Sequence, residues 1–126
     1  MFRKLDHIHL RCQDVEKSVE YYVNLFAGEV VARFEARGMP IVRLKVGDAF
    51  LALSPRREDE PEVQGEGPRW GAYELGFLVE DLDRACRELK AKGARFIAGP
   101  LEVRPGVRVA FVKAPDGMQI EILHRD

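Results

Sequence analysis

The chain repeats itself, and a repeat of this size leaves few folds open. Asp6-His7-Ile8-His9-Leu10 lies over Tyr73-Glu74-Leu75-Gly76-Phe77 in a register that also sets Asp14 over Asp81 and Val15 over Leu82. Further along, Gly47-Asp48 lies over Asp116-Gly117, and Phe50-Leu51-Ala52-Leu53 over Gln119-Ile120-Glu121-Ile122. Self-similarity within 126 residues signals one structural unit built twice.

Each copy can be read for period. Ile8, Leu10 and Cys12 alternate with His7, His9 and Arg11, the pattern of a half-buried strand. Asp14 stands where an N-cap belongs, with Lys17 in place of the Glu or Gln of a full capping box. Val15, Val19, Tyr22, Val23 and Phe26 then recur at helical spacing up to Gly28, a helix stop. Strands are expected at 29–35, 41–46 and 49–54, the last two joined by Gly47-Asp48. The second copy runs the same way. Leu75, Phe77 and Val79 form a strand face, and Asp81 caps a helix that carries Leu82, Ala85, Cys86 and Leu89 to Gly93. Strands are expected at 95–103, 107–113 and 118–124, with Pro115-Asp116-Gly117 as the final turn.

The pattern predicts an α+β fold in which two βαβββ modules form a concave mixed sheet with helices on its outer face. The modules cover about 1–54 and 71–126 of a single domain spanning 1–126. The connection at 55–70 is rich in charge, Pro and Gly and reads as a mobile linker or lid, with Trp70 and Tyr73 at its end as a lid wall or an anchor.

Composition removes whole classes of function. Twenty basic and 21 acidic residues are scattered along the chain, leaving a net charge of -1 and no footprint for nucleic acid or anionic lipid. No apolar run reaches the ~18 residues of a membrane span, and no apolar stretch follows the N-terminus, so a cytoplasmic protein is expected. Cys12 and Cys86 are too few for a disulfide framework or zinc cluster and fall on helix-packing faces, as inert core thiols do. Phosphate loops and nucleophile elbows are absent.

Strand alternation assigns the face turned away from the helices. It carries His7, His9 and Arg11 in one copy, with Phe50, Ala52 and Ser54 beside them. In the other copy it carries Glu74, Gly76 and Leu78, with Gln119, Glu121 and Leu123. The repeat brings His7, Glu74, Glu121 and Ala52 to equivalent places, a metal-ligand set with one arm missing. A strand histidine is more often structural than ligating, and strand glutamates usually face water. Carboxylates on an enclosed face, however, require a partner, and beside a histidine a divalent cation is the simplest one. One imidazole and two carboxylates suit Mn, Mg, Fe(II), Ni or Zn alike. The gap at Ala52 reads either as the open position of a catalytic metal or as decay toward a metal-free binding protein. His9, Arg11, Phe50, Leu78 and Gln119 are candidates to line the substrate cavity. Arg11, Arg43 and Lys45 could hold an anionic group or be surface charge, and His124, on the helix-packed face near the terminus, receives no role.

The paired modules, the opening Leu5-Asp6-His7-Ile8 and the ending Ala114-Pro115-Asp116-Gly117-Met118-Gln119-Ile120-Glu121-Ile122 resemble the vicinal oxygen chelate superfamily over essentially the whole chain. That superfamily includes glyoxalase I, methylmalonyl-CoA epimerase, extradiol dioxygenases, fosfomycin resistance enzymes and bleomycin-binding proteins. The resemblance implies metal ligands at His7, Glu74 and Glu121, with Ala52 where Glu or Gln is common. It also implies a homodimer acting on a small molecule, a lyase or isomerase reaction, and Glu74 or Glu121 as catalytic base. Two alternatives stand beside it: a metal-free protein that sequesters a drug or metabolite, and an Fe(II) dioxygenase, which would need His9 as a second imidazole.

Overall fold

The computed structural model describes residues 2–60 and 71–126. The chain divides into two compact units, Met1–Val63 and Gln64–Asp126. Trp70 and the rest of 61–70 lie outside the described residues.

The first unit runs β1 (Ile8–Arg11), α1 (Val15–Phe26), β2 (Glu29–Ala36), β3 (Met39–Val46) and β4 (Ala49–Ser54). Its sheet has the order β1-β4-β3-β2, with β1 parallel to β4 and the other neighbours antiparallel. The parallel pairing is what the intervening helix makes geometrically accessible. Helix α1 packs against β3 and β4, and Val19, Tyr22, Leu44, Leu51 and Leu53 are buried between them. Asp14 caps α1 by accepting from the Lys17 backbone N–H at 3.1 Å.

The helix end departs from expectation. The left-handed residue that stops α1 is Ala27 (φ 54°), not Gly28. Gly28 instead donates its N–H to Tyr22 O at 2.9 Å, and a Cβ there would stand 2.9 Å from that oxygen. Glycine is needed at this position for close approach rather than for positive φ.

The second unit repeats the plan as β5 (Glu74–Leu78), α2 (Leu82–Ala91), β6 (Phe96–Arg104), β7 (Val107–Lys113) and β8 (Gln119–Arg125), with a 3-10 turn at Pro115–Gly117. The order β5-β8-β7-β6 matches the first sheet, and β5 is parallel to β8. Helix α2 lies on β6, β7 and β8 over buried Leu82, Cys86, Leu89, Val112, Ile120 and Ile122. Asp81 accepts from Arg84 N at 3.0 Å, as Asp14 does in the first unit.

The registers establish which residues correspond. Ile8 and His9 sit opposite Leu51 and Ala52, and Leu75 and Gly76 sit opposite Ile120 and Glu121. Ala52 and Glu121 therefore occupy one position, and His7 and Glu74 each lie one residue before the equivalent pairs. No helix among the described residues is long and apolar enough to cross a membrane.

Two readings of the sequence need correction. The start of the connection is not loose: Glu60 accepts from Arg11, and Arg56 Nη1 donates to the Glu60 carbonyl at 2.7 Å. Arg57 Nη2 donates to the Arg37 carbonyl at 3.2 Å, so 55–60 is fastened to the first unit from several sides. His124, in turn, is not at a frayed end. It lies inside β8 with Nδ1 3.1 Å from Val79 O, and Asp126 N still donates to Gly106 O.

Candidate active site

In the second unit, β8 alternates as its hydrophobic period demands. Ile120 and Ile122 are buried under α2, while Gln119, Glu121 and Leu123 are half-buried on the opposite face. Glu74 sits across from Gln119 on β5, and Gln119 Nε2 donates to Glu74 Oε1 at 2.7 Å. Burial pushes the Glu121 carboxyl above the usual carboxylate range, and hydrogen bonding and like-charge repulsion from Glu74 push it further. Among the described residues, no Lys or Arg forms an ion pair with either glutamate. Two adjacent carboxylates of this kind hold either a shared proton or a cation. Leu78, expected to line a cavity, is 61% exposed.

The first unit supplies imidazoles. His7 stands just before β1, with Nδ1 2.8 Å from Asp6 Oδ2. A carboxylate at Nδ1 leaves the Nε2 lone pair free, which is how ligating histidines are commonly presented. Arg43 Nη2 donates to the same Asp6 oxygen at 3.2 Å, and its guanidinium lies 4.7 Å above the Phe50 ring. The His7 bond, followed by Arg43, holds the Asp6 carboxyl below its ordinary range.

His9 is engaged differently. Its Nε2 lies 2.7 Å from Ser54 Oγ, and Arg11 Nη1 approaches both, at 2.6 Å from Oγ and 3.4 Å from Nε2. Arg11 has no acceptor, so a donor facing Nε2 marks that nitrogen as unprotonated. Burial, then the Arg11 charge and that of His7, lowers the His9 pKa, in keeping with a neutral ring. Arg11 completes its bonding with Glu60, through Nε at 3.0 Å and Nη2 at 2.6 Å.

Ala52 and Ser54, placed by alternation on the open face, are buried. Strand β4 is internal: His9 and Arg43 flank Ala52, and Arg11 flanks Ser54. Long side chains on neighbouring strands cover short ones between them. Lys45 remains exposed, and Tyr73 is half exposed. Both cysteines are buried, and burial followed by Asp83 raises the Cys86 thiol pKa.

The donor chemistry fits a divalent ion. Within either unit, among the described residues, no three His, Cys, Asp or Glu side chains group by themselves. Among the described residues, the first unit carries an imidazole with no hydrogen bond at Nε2, and the second a carboxylate pair with no cationic side chain ion-paired to it. Period reading missed two participants. Asp6 precedes the first strand, where alternation carries no information, and Glu60 lies in a segment with no period at all. The adjacency of Asp6 to His7 was the available signal for the first.

Two βαβββ units, each with a helix on one sheet face and polar residues on the other, define the vicinal oxygen chelate fold. The model of the Glyoxalase/Bleomycin resistance protein/Dioxygenase superfamily matches residues 4–122, and the chain belongs to that superfamily. It is 29% identical to uncharacterized protein YwkD of Bacillus subtilis, over 97% of both chains. It is 28% identical to the lactoylglutathione lyase of Escherichia coli O157:H7, covering 95% of this chain and 91% of that one. Among solved structures, the antibiotic binding protein TnmS3 from Streptomyces superposes with a TM-score of 0.76 over 99% of this chain and 98% of that one; at 21% identity this likeness concerns the fold alone.

Proposed function

We propose that the protein is a divalent-metal-dependent lyase or isomerase of the glyoxalase type, acting on a small substrate with two neighbouring oxygens. The observation that carries this reading is the Glu74–Glu121 pair, two carboxylates side by side with no Lys or Arg ion-paired to either among the described residues. His7, Glu74 and Glu121 are the proposed ligands, with the identity of the ion left open among Mn, Ni, Zn, Fe and Mg. A bound ion would supply Lewis-acid stabilisation of an enolate or oxyanion.

The chain's own groups divide the remaining work. Gln119 pins Glu74 through its 2.7 Å hydrogen bond, which leaves Glu121 the freer carboxylate to turn and take a substrate proton. The first and second units are proposed to act as one functional domain, in a cytoplasmic homodimer. His7 and the two glutamates would come from one chain or from two copies.

A second reading, metal-free sequestration of a ligand, draws support from Ala52, which cannot coordinate and is buried. The oxygen-activating reading is weaker, because His9 already commits Nε2 to Ser54 and Arg11.

One experiment separates the first two. Untagged protein is purified and its metal measured by elemental analysis, beside Glu121→Gln. Near-stoichiometric metal that disappears in the variant supports the enzyme; wild type that stays empty after incubation with Mn, Ni or Zn supports sequestration.

A further inference from the structure

The duplicated register places a support beside each proposed ligand of the first strands, and the two halves build it with different chemistry. In the second unit Gln119, directly across from Glu74, donates to it. The equivalent of Gln119 in the first unit is Phe50, which has no polar atom to offer His7. What Phe50 does hold is the Arg43 guanidinium, 4.7 Å above its ring. Arg43 reaches Asp6 at 3.2 Å, and the same Asp6 oxygen meets His7 Nδ1 at 2.8 Å.

We infer that Asp6, held by Arg43 on the face of Phe50, is the positioning residue that fixes His7 as the Nδ1–H tautomer and turns its Nε2 lone pair outward. The inference rests on the proposed role of His7 as a ligand.

Three features make the relay more than a chance surface contact. An exposed ion pair between sequence neighbours is weak and mobile by itself. Here the acid is gripped from a second side by an arginine that is itself only 26% exposed and stacked on an aromatic ring. Arg43 sits on β3 and Phe50 on β4, so Asp6 is fixed to the sheet although it precedes the first strand. Finally, an imidazole presents one nitrogen to an ion only when its proton sits on the other, and a carboxylate on Nδ1 enforces that choice.

The test uses the full chain, free of metal, with ¹⁵N spectra of the His7 ring recorded at about pH 8.5, above the ordinary imidazole range. Wild type is expected to show protonated Nδ1 and unprotonated Nε2. Asp6→Ala should move the proton to Nε2 and Arg43→Met should give a mixture, while Asp6→Asn, whose amide oxygen can still accept, should restore the wild-type pattern. Ni(II) affinity, measured by competition with a chelator, should fall about 10- to 100-fold in Asp6→Ala and recover in Asp6→Asn. An Nε2-protonated His7 in wild type, or a tautomer indifferent to Asp6→Ala, overturns the inference. If the tautomer responds as stated but neither wild type nor His7→Ala binds Ni(II), the metal reading fails while the positioning of His7 by Asp6 stands.

Discussion

Arg11 and Glu60 meet in a two-bond ion pair, Nε to Oε2 at 3.0 Å and Nη2 to Oε1 at 2.6 Å. The fork-to-fork geometry is the strong form of this interaction. It ties the segment after β4 back to β1, and the third nitrogen of Arg11 continues to Ser54 and His9.

This latch has a definite pH behaviour. Burial would raise the Glu60 carboxyl, but the Arg11 hydrogen bond, the Arg57 backbone N–H and the charges of both arginines outweigh it and leave the pKa lowered. A depressed carboxyl contributes above its unfolded value and loses that contribution only as pH falls through the folded one. Hydrogen exchange at 55–60, corrected for intrinsic rate, should therefore stay slow from about pH 7 down to the ordinary Glu range near 4.3 and quicken below it. Glu60→Gln should exchange fast throughout. A wild-type rise already at about pH 6, or a variant no faster than wild type, contradicts the latch.

Removing one of the two adjacent glutamates should act in opposite senses with and without metal. Glu121→Gln ends the like-charge contact with Glu74, so the metal-free variant is expected to melt higher than wild type. Wild type with Mn or Ni at a hundred times its Kd should gain about 2.7 kcal/mol, and the variant should gain almost none. A variant that melts lower without metal, or keeps the metal-induced gain, runs against this account of the pair.

The end of α1 offers a paired stability test. Ala27 is held at φ 54°, where a Cβ is unfavourable, so Ala27→Gly should raise stability by about 0.5–1 kcal/mol. Gly28→Ala drives a Cβ to 2.9 Å from Tyr22 O and should lower it by about 1–3 kcal/mol. Urea unfolding of both variants decides the matter; equal effects at the two positions would refute the division of roles.

The thiols should be silent. Both cysteines are buried, and the Cys86 pKa is raised by burial and by Asp83. Ellman's reagent at about pH 8 is expected to label neither in the native protein and both in denaturant. Rapid native labelling of Cys86 would show that α2 does not shield it.

What the sequence determined by itself was the architecture. A repeat with period-2 and period-3.6 patterning in the same order twice admits little besides two βαβββ units, because side-chain direction in strands and helices follows local geometry. The same alternation assigned Glu74, Gln119 and Glu121 to one face, as the register of β5 and β8 bears out. Tertiary structure alone decided how those groups are held. Asp6 reaches Arg43, Arg11 reaches Glu60, and Ala52 disappears beneath its neighbours, all between positions distant in sequence. Period is a property of adjacent residues, whereas these contacts depend on strand order and on which long side chains cover short ones. Only the folded sheet specifies that.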